Sequence, residues 1–469
     1  MSQALSNTPR TRPRWRPRFS LRTLLLASLF CDSGMLLWRN RAPWAVKYTI
    51  QEEREIQAAD FSPNDKYTYT LTDLYIDENQ PRSERKELVK IYDAESGRLQ
   101  TTIASERSRN QDTEYSFSPG GNFIHRIIRS HNSRTPLFVF DELWSVDTGK
   151  LVRLENQKPD EFHFVQISSN DHFALLWKGS ESILVKLPSL EVVARIPSNG
   201  NGRFSPDEKW LAFESFNPDE APQIISTELG EVKQKLDKNV IFQFSPDGCL
   251  LVFSTQDNLT KYSAKIIELS TAKTMTEIVI MKKPSDMTFS PDGRYLMTLY
   301  SSSMKYVIWD WSLKTELFRG EVSGRTAQIM ADDRLLESNR FLALDIRTGK
   351  LLWKNRDCGY FSPNGAYAFD TTRWVLLSGR TGKTVHKFGI IPGNNDDSWI
   401  TLNFANKNST FLTYRFKPGG NLPTPLSHQV QVWHRRRPEF WYGFAWLPEF
   451  WLTVVLAGVL LWSLSRPLT

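Results

Sequence analysis

Side-chain catalysis needs a nucleophile, a base or a set of metal ligands at fixed spacing. This chain has few candidates for any of them. Its three cysteines, Cys31, Cys249 and Cys358, stand far apart and match neither a zinc nor a disulfide spacing. Its seven histidines, His125, His131, His163, His172, His386, His428 and His434, contain no HExxH or similar pair. No residue is assigned as catalytic, as a metal ligand or as a cofactor ligand, and no cofactor is expected.

The recurring feature is a turn. Phe-Ser-Pro followed by Asn, Asp or Gly occurs at Phe61, Phe117, Phe204, Phe244, Phe289 and Phe361, with weaker copies at Ile167, Ile329 and Phe404. Successive anchors lie 32 to 56 residues apart, which is the period of propeller blades. Proline presets φ and glycine accepts a positive one, so Ser245-Pro246-Asp247-Gly248 predicts a tight hairpin between a first strand, Val240–Phe244, and a second, Cys249–Ser254. The third and fourth strands of that unit are predicted further on, at Tyr262–Glu268 and about Thr276–Met281. A second turn chemistry separates third from fourth strands, as in Asp147-Thr148-Gly149-Lys150 and Asp345-Ile346-Arg347-Thr348-Gly349-Lys350. The expectation is an all-β chain with a single β-propeller of eight or nine four-stranded blades over residues 45–434, flanked by N- and C-terminal membrane helices. The last unit lacks a fourth strand, and Ala45–Gln51, ahead of the first unit, is predicted to fill that place and close the ring.

These turns resemble the Phe-Ser-Pro-Asp-Gly element of WD40-like β-propellers, and the tails make the chain look like the bacterial membrane-anchored type. The terminal Trp-Asp of such blades is kept only at Trp309-Asp310, and no Gly-His precedes the repeats, so the resemblance does not imply the buried Asp-His-Ser/Thr-Trp network. Ala343–Lys354 is also similar to the repeat of quinoprotein dehydrogenases. The simpler reading of that stretch is a third-to-fourth-strand turn with Trp353 packed between blades.

Charge divides by region. Of 59 lysines and arginines, twelve lie in 1–42 and 435–469, and of 52 acids three do, leaving 47 against 49 and a net of −2 in the middle. That balance gives no basic footprint, so nucleic acid is not an expected partner. Residues 1–20 read as a basic tail and 21–38 as an uncleaved transmembrane signal anchor, although the apolar run Thr23–Trp38 is short and interrupted by Asp32. Residues 441–465 read as a C-terminal transmembrane helix with tryptophans near both ends. The arginines before the first tract predict an extracytoplasmic propeller, and the resemblance implies the inner membrane of a bacterium. Protein partners are expected at the loops Ile76–Lys86, Ser105–Glu114 and Arg129–Pro136, and the membrane is contacted through both termini. The expected role is a non-enzymatic protein-interaction platform. The alternative is a propeller enzyme, quinoprotein dehydrogenase-like or metal-dependent lactonase-like, with its site in the central channel.

Overall fold

The computed structural model describes residues 44–54, 56–74, 85–107, 111–130, 137–152, 163–236, 241–258, 261–280, 282–321, 327–337, 341–355, 359–388, 399–406, 410–416, 429–435, 451 and 454–455. Among them the strands form nine sheets, which settles the expected eight or nine blades as nine. Blades 1 to 8 lie at 56–107, 111–151, 163–196, 200–235, 242–280, 286–321, 327–354 and 359–387, and blade 9 combines 399–435 with 44–51. Strands are lettered a to d within each blade. Eight sheets are four-stranded; in blade 2 the described part of strand d is a single bridge between Leu151 and Trp144.

Burial along the strands gives their radial order. Strand b of blade 6, Tyr295–Tyr300, is buried at all six positions, as expected of a strand covered on both faces by neighbouring blades. Strand d of blade 5, Lys273–Ile280, instead alternates towards solvent at Glu277 and Val279 and inward at Thr276, Ile278 and Ile280. The a strands of blades 3 and 4 touch, as do those of blades 5 and 6, so a strands are innermost and d strands outermost. The core lies between blades: Val252, Ile266 and Ile278 of blade 5 pack with Met287, Leu296 and Trp309 of blade 6.

Closure follows the sequence expectation. The sheet order in blade 9 is Trp44–Gln51, Gln429–Arg435, Thr410–Phe416, Trp399–Phe404, so the stray N-terminal strand serves as strand d. Ile50, Leu412 and Val432 of this blade pack with Ile56, Phe61 and Tyr92 of blade 1. Asn403 Nδ2 donates to Ala59 O at 2.8 Å, the Asn406 N–H donates to Asp65 Oδ1 at 2.7 Å, and Asn406 Nδ2 donates to Pro63 O.

Several boundaries differ from expectation. Strand b of blade 5 runs on to Asn258, and strand a begins only at Phe242. The expected loop Ser105–Glu114 is mostly strand: Leu99–Arg107 is strand d of blade 1 and Gln111–Phe117 strand a of blade 2. Arg129 and Ser130 end strand b of blade 2, and Arg85 and Lys86 begin strand c of blade 1. These polar residues stay in the ladder because antiparallel pairing extends to Gln111 with Ser130 and Arg85 with Arg107. The rest of the three expected loops, and the segments 1–20 and 21–38, lie outside the described residues. Of 441–465, only Trp451, Val454 and Val455 are described; they are helical and exposed. Among the described residues no helix is long and apolar enough to cross a membrane.

Candidate interaction face

Strands a and c run one way and b and d the other, so the a–b and c–d turns share one face of the ring and the b–c and d–a connections the opposite face. The tight-turn face is built by repetition. Ser62, Ser118, Ser168, Ser205, Ser245, Ser290 and Ser362 are each at most 2% exposed. Each hydroxyl accepts the backbone N–H five residues on, at 2.8–3.0 Å. The residue three after the serine has positive φ: glycine at Gly121, Gly248, Gly293 and Gly365, an acid at Asp65, Asp171 and Glu208, and Asp333 at the equivalent place in blade 7.

Asp65, Asp171 and Glu208 each hold the turn of the preceding blade. Asp171 accepts Ser118 Oγ at 2.6 Å, Gly120 N at 2.9 Å and Asn122 N at 2.8 Å. Glu208 accepts Asn170 N at 2.5 Å and meets His172 Nδ1 at 2.6 Å. Asp65 accepts Asn406 N, and Asp333 lies 3.9 Å from Arg294 Nη1. Burial pushes the Glu208 carboxyl up, but hydrogen bonds from Ser168, Asn170 and His172 outweigh it and hold the group below its ordinary value. The c–d turns are structural too. Asp345 accepts Thr348 N at 2.8 Å and Thr348 Oγ1 at 2.7 Å, and Trp353 Nε1 donates to Gly379 O of the next blade at 2.9 Å. The quinoprotein-like stretch is thus a capped turn with an interblade tryptophan.

Blades 1 and 2 carry buried charge. In blade 1, Glu52 accepts Thr70 Oγ1 and Tyr92 Oη at 2.6 Å each and Lys90 Nζ at 2.7 Å. Tyr92 stands two residues beyond Lys90, the cross-strand partner of Thr70. The same offset relates Thr298 to Trp309 and Thr413 to Trp433, whose indole N–H donates to the threonine at 3.1 Å in both blades. Among the described residues, an aromatic two residues past a threonine's cross-strand partner thus recurs in blades 1, 6 and 9. In blade 2 that threonine position is Arg126, which pairs with Glu142 at 3.1 Å beneath Trp144. Arg126 also lies 3.7 Å from Glu87, whose carboxylate accepts Tyr115 Oη at 2.8 Å. Burial drives the Tyr115 phenol well above its ordinary value, so it stays a neutral donor.

Next to this network, Asp141 Oδ2 accepts Phe164 N at 3.1 Å and lies 3.9 Å from both His125 Nε2 and His163 Nδ1. Those distances exceed a direct hydrogen bond. Among the described residues no group of three or more His, Cys, Asp or Glu is disposed to hold a metal. His163 also lines an open cavity of about 880 Å³ on the loop face, with Trp177, Lys178, Ser180, Glu181, Pro197 and Asn199. Its frame is fixed by Trp177 Nε1 to Gly200 O at 2.8 Å and Asn199 Nδ2 to Gly179 O at 2.7 Å. Phe216, 55% exposed at the end of strand b of blade 4, meets Trp177 edge to face with centroids 5.2 Å apart. This part of the face was missed in the sequence, because its residues come from three connections whose neighbourhood depends on blade packing. A weak signal was present in Trp177-Lys178-Gly179-Ser180, where an aromatic precedes a two-residue hairpin turn.

The sequence matches no protein-family profile, and no curated protein is similar to it. A crystal structure of a eukaryotic initiation factor is similar in fold, with a TM-score of 0.50 and 16% identity over 82% of this chain and 92% of that one. The structure of the Dos1 propeller aligns with a TM-score of 0.40 and 12% identity over 83% and 95% of the two chains. At such identities the likeness to the initiation factor extends to the fold alone.

Proposed function

We propose that this chain is a membrane-tethered, non-enzymatic platform that docks a protein on the loop face of blades 3 and 4. The observation that carries the reading is the exposed Phe216 packed edge to face on Trp177 at the rim of an open cavity. Aromatic anchors beside a concavity with polar neighbours are the usual energetic centre of a protein interface. The mixed charges Lys178, Glu181 and Arg195 around it suit a polar rim, with Arg195 already paired to Glu181 at 2.8 Å. In this reading the apolar tracts at 21–38 and 441–465 are the tether, and the arginines ahead of the first favour a propeller outside the cytoplasm. Photo-crosslinkers at Ser180 and at Cys249, on opposite faces, test this in native membranes. A defined protein captured from Ser180 and lost with Phe216→Ala is expected; capture from Cys249 alone sinks the reading.

A further inference from the structure

A second concavity lies on the loop face at blade 6, apart from the Trp177 rim. We propose that it binds a small ligand carrying a single carboxylate. Its volume is about 240 Å³, and its lining includes Lys282, Tyr300, Lys305, Tyr306, Arg319 and Glu321. That is room for about eight waters at ~30 Å³ each, and it falls below the ~300–1,000 Å³ of drug-sized sites, so the occupant is compact.

The charges select its sign and number. Arg319 is held by Glu316 through two contacts of 2.5 and 2.6 Å, so its charge is matched outside the cavity. Lys282 Nζ donates to Ser302 Oγ at 3.0 Å and sits 5.8 Å from the Tyr300 ring centroid, fixed by an uncharged hydroxyl and an aromatic face. Lys305 stands opposite Glu321 in the strand register, yet it makes no ion pair among the described residues. Two ammonium groups against one carboxylate leave a surplus of one positive charge, which suits a monoanion better than a phosphate dianion.

The walls close the cavity from below. Tyr306 is 1% exposed and packs edge to face on Phe318 at 5.9 Å. It reaches the cavity because residue 320 is glycine: a Cβ there would lie 2.4 Å from Tyr306 Oη. With Tyr300 and Val307, each like Tyr306 at most 3% exposed, this makes a closed floor beneath the lysines, so the occupant is held by its charge above that floor.

Benzoate, benzamide and phenyl phosphate titrated into the full chain in detergent, followed by calorimetry and saturation-transfer NMR, test the assignment. Benzoate is expected to bind with a Kd of about 1–10 mM, and benzamide at least about tenfold more weakly. Lys282→Met and Lys305→Met, neither in the buried core, should each weaken benzoate about tenfold with the melting temperature unchanged, and Gly320→Ala should abolish binding by moving Tyr306. Equal binding of benzamide, tighter binding of phenyl phosphate, undiminished binding in both lysine variants, or no binding of benzoate at 50 mM (about five times the weakest Kd expected) overturns it. Capture of a protein at Ser180 bears on none of these outcomes, so the two proposals fail separately.

Discussion

At the residue scale, the informative positions are those where the repeat departs from its own rule. An acid at positive φ costs more than glycine there, and Asp171 and Glu208 offset that cost by holding the neighbouring turn. The Glu208 carboxyl is lowered, so its contribution is present above the ordinary glutamate value near ~4.3 and is lost as pH falls through the lowered one. Glu208→Gln should therefore cost about 1–2 kcal/mol at pH 7 and progressively less towards pH 3, read from urea melts at each pH. An equal cost at both ends would mean that the charge is irrelevant. The turn serines make a second case. Ser290 is fully buried and accepts Tyr295 N at 2.8 Å, so Ser290→Ala leaves that donor unsatisfied and should cost about 1–3 kcal/mol in the same melts. Ser290→Thr, which keeps the hydroxyl, should recover part of it.

At the element scale, the propeller was readable in the sequence because its punctuation is local. Ser245-Pro246-Asp247-Gly248 and Asp345-Ile346-Arg347-Thr348-Gly349-Lys350 each fix a turn without help from distant residues, and the structure has both. Even the weak copy at Ile167 is a true a–b turn, with Asp171 in the positive-φ place. The buried charges of blades 1 and 2 were not readable, since Glu52, Thr70 and Tyr92 meet only once register and blade order are known. The polar ends of strands in blades 1 and 2 read as loops for the same reason: Ser105 is buried and meets Tyr115 Oη at 2.5 Å, a contact invisible from composition. The closing strand Trp44–Gln51 can be tested as a unit. Ile50 is 4% exposed against Leu412 and Ile56, so Ile50→Asp should free the strand, open an edge and lower the melting temperature by about 4–8 °C or more. Scanning calorimetry and size-exclusion chromatography should then show a less stable, self-associating protein, whereas an unchanged monomer would remove the strand from closure.

At the scale of the whole molecule, the two faces of the ring differ in kind. The a–b and c–d side is a series of short capped turns in which blades 1, 3 and 4 each hold the turn of the preceding blade. The other side carries the open cavity, the small cavity and the exposed Phe216. Strand c of blade 9, Gln429–Arg435, ends on the tight-turn side, because it runs antiparallel to Thr410–Phe416. A docking platform needs its cavities turned away from the bilayer, so the proposed function predicts that the tight-turn side is the shielded one. Cys249 reports on this side directly: it is exposed beside the Asp247 turn, and burial together with Asp247 and Asp207 raises its thiol above the ordinary value. In a Cys31→Ser, Cys358→Ser background, labelling by a bulky maleimide should be compared between Cys249 and Ser180→Cys. The raised thiol makes Cys249 intrinsically slow, so each site is normalised to its own rate in detergent. Ser180→Cys should label as fast in intact membranes as in detergent, and Cys249 at least about tenfold more slowly in membranes. Equal ratios at the two sites would mean that neither face is turned to the bilayer, and a slower Ser180→Cys would reverse the orientation and leave the proposed docking surface covered.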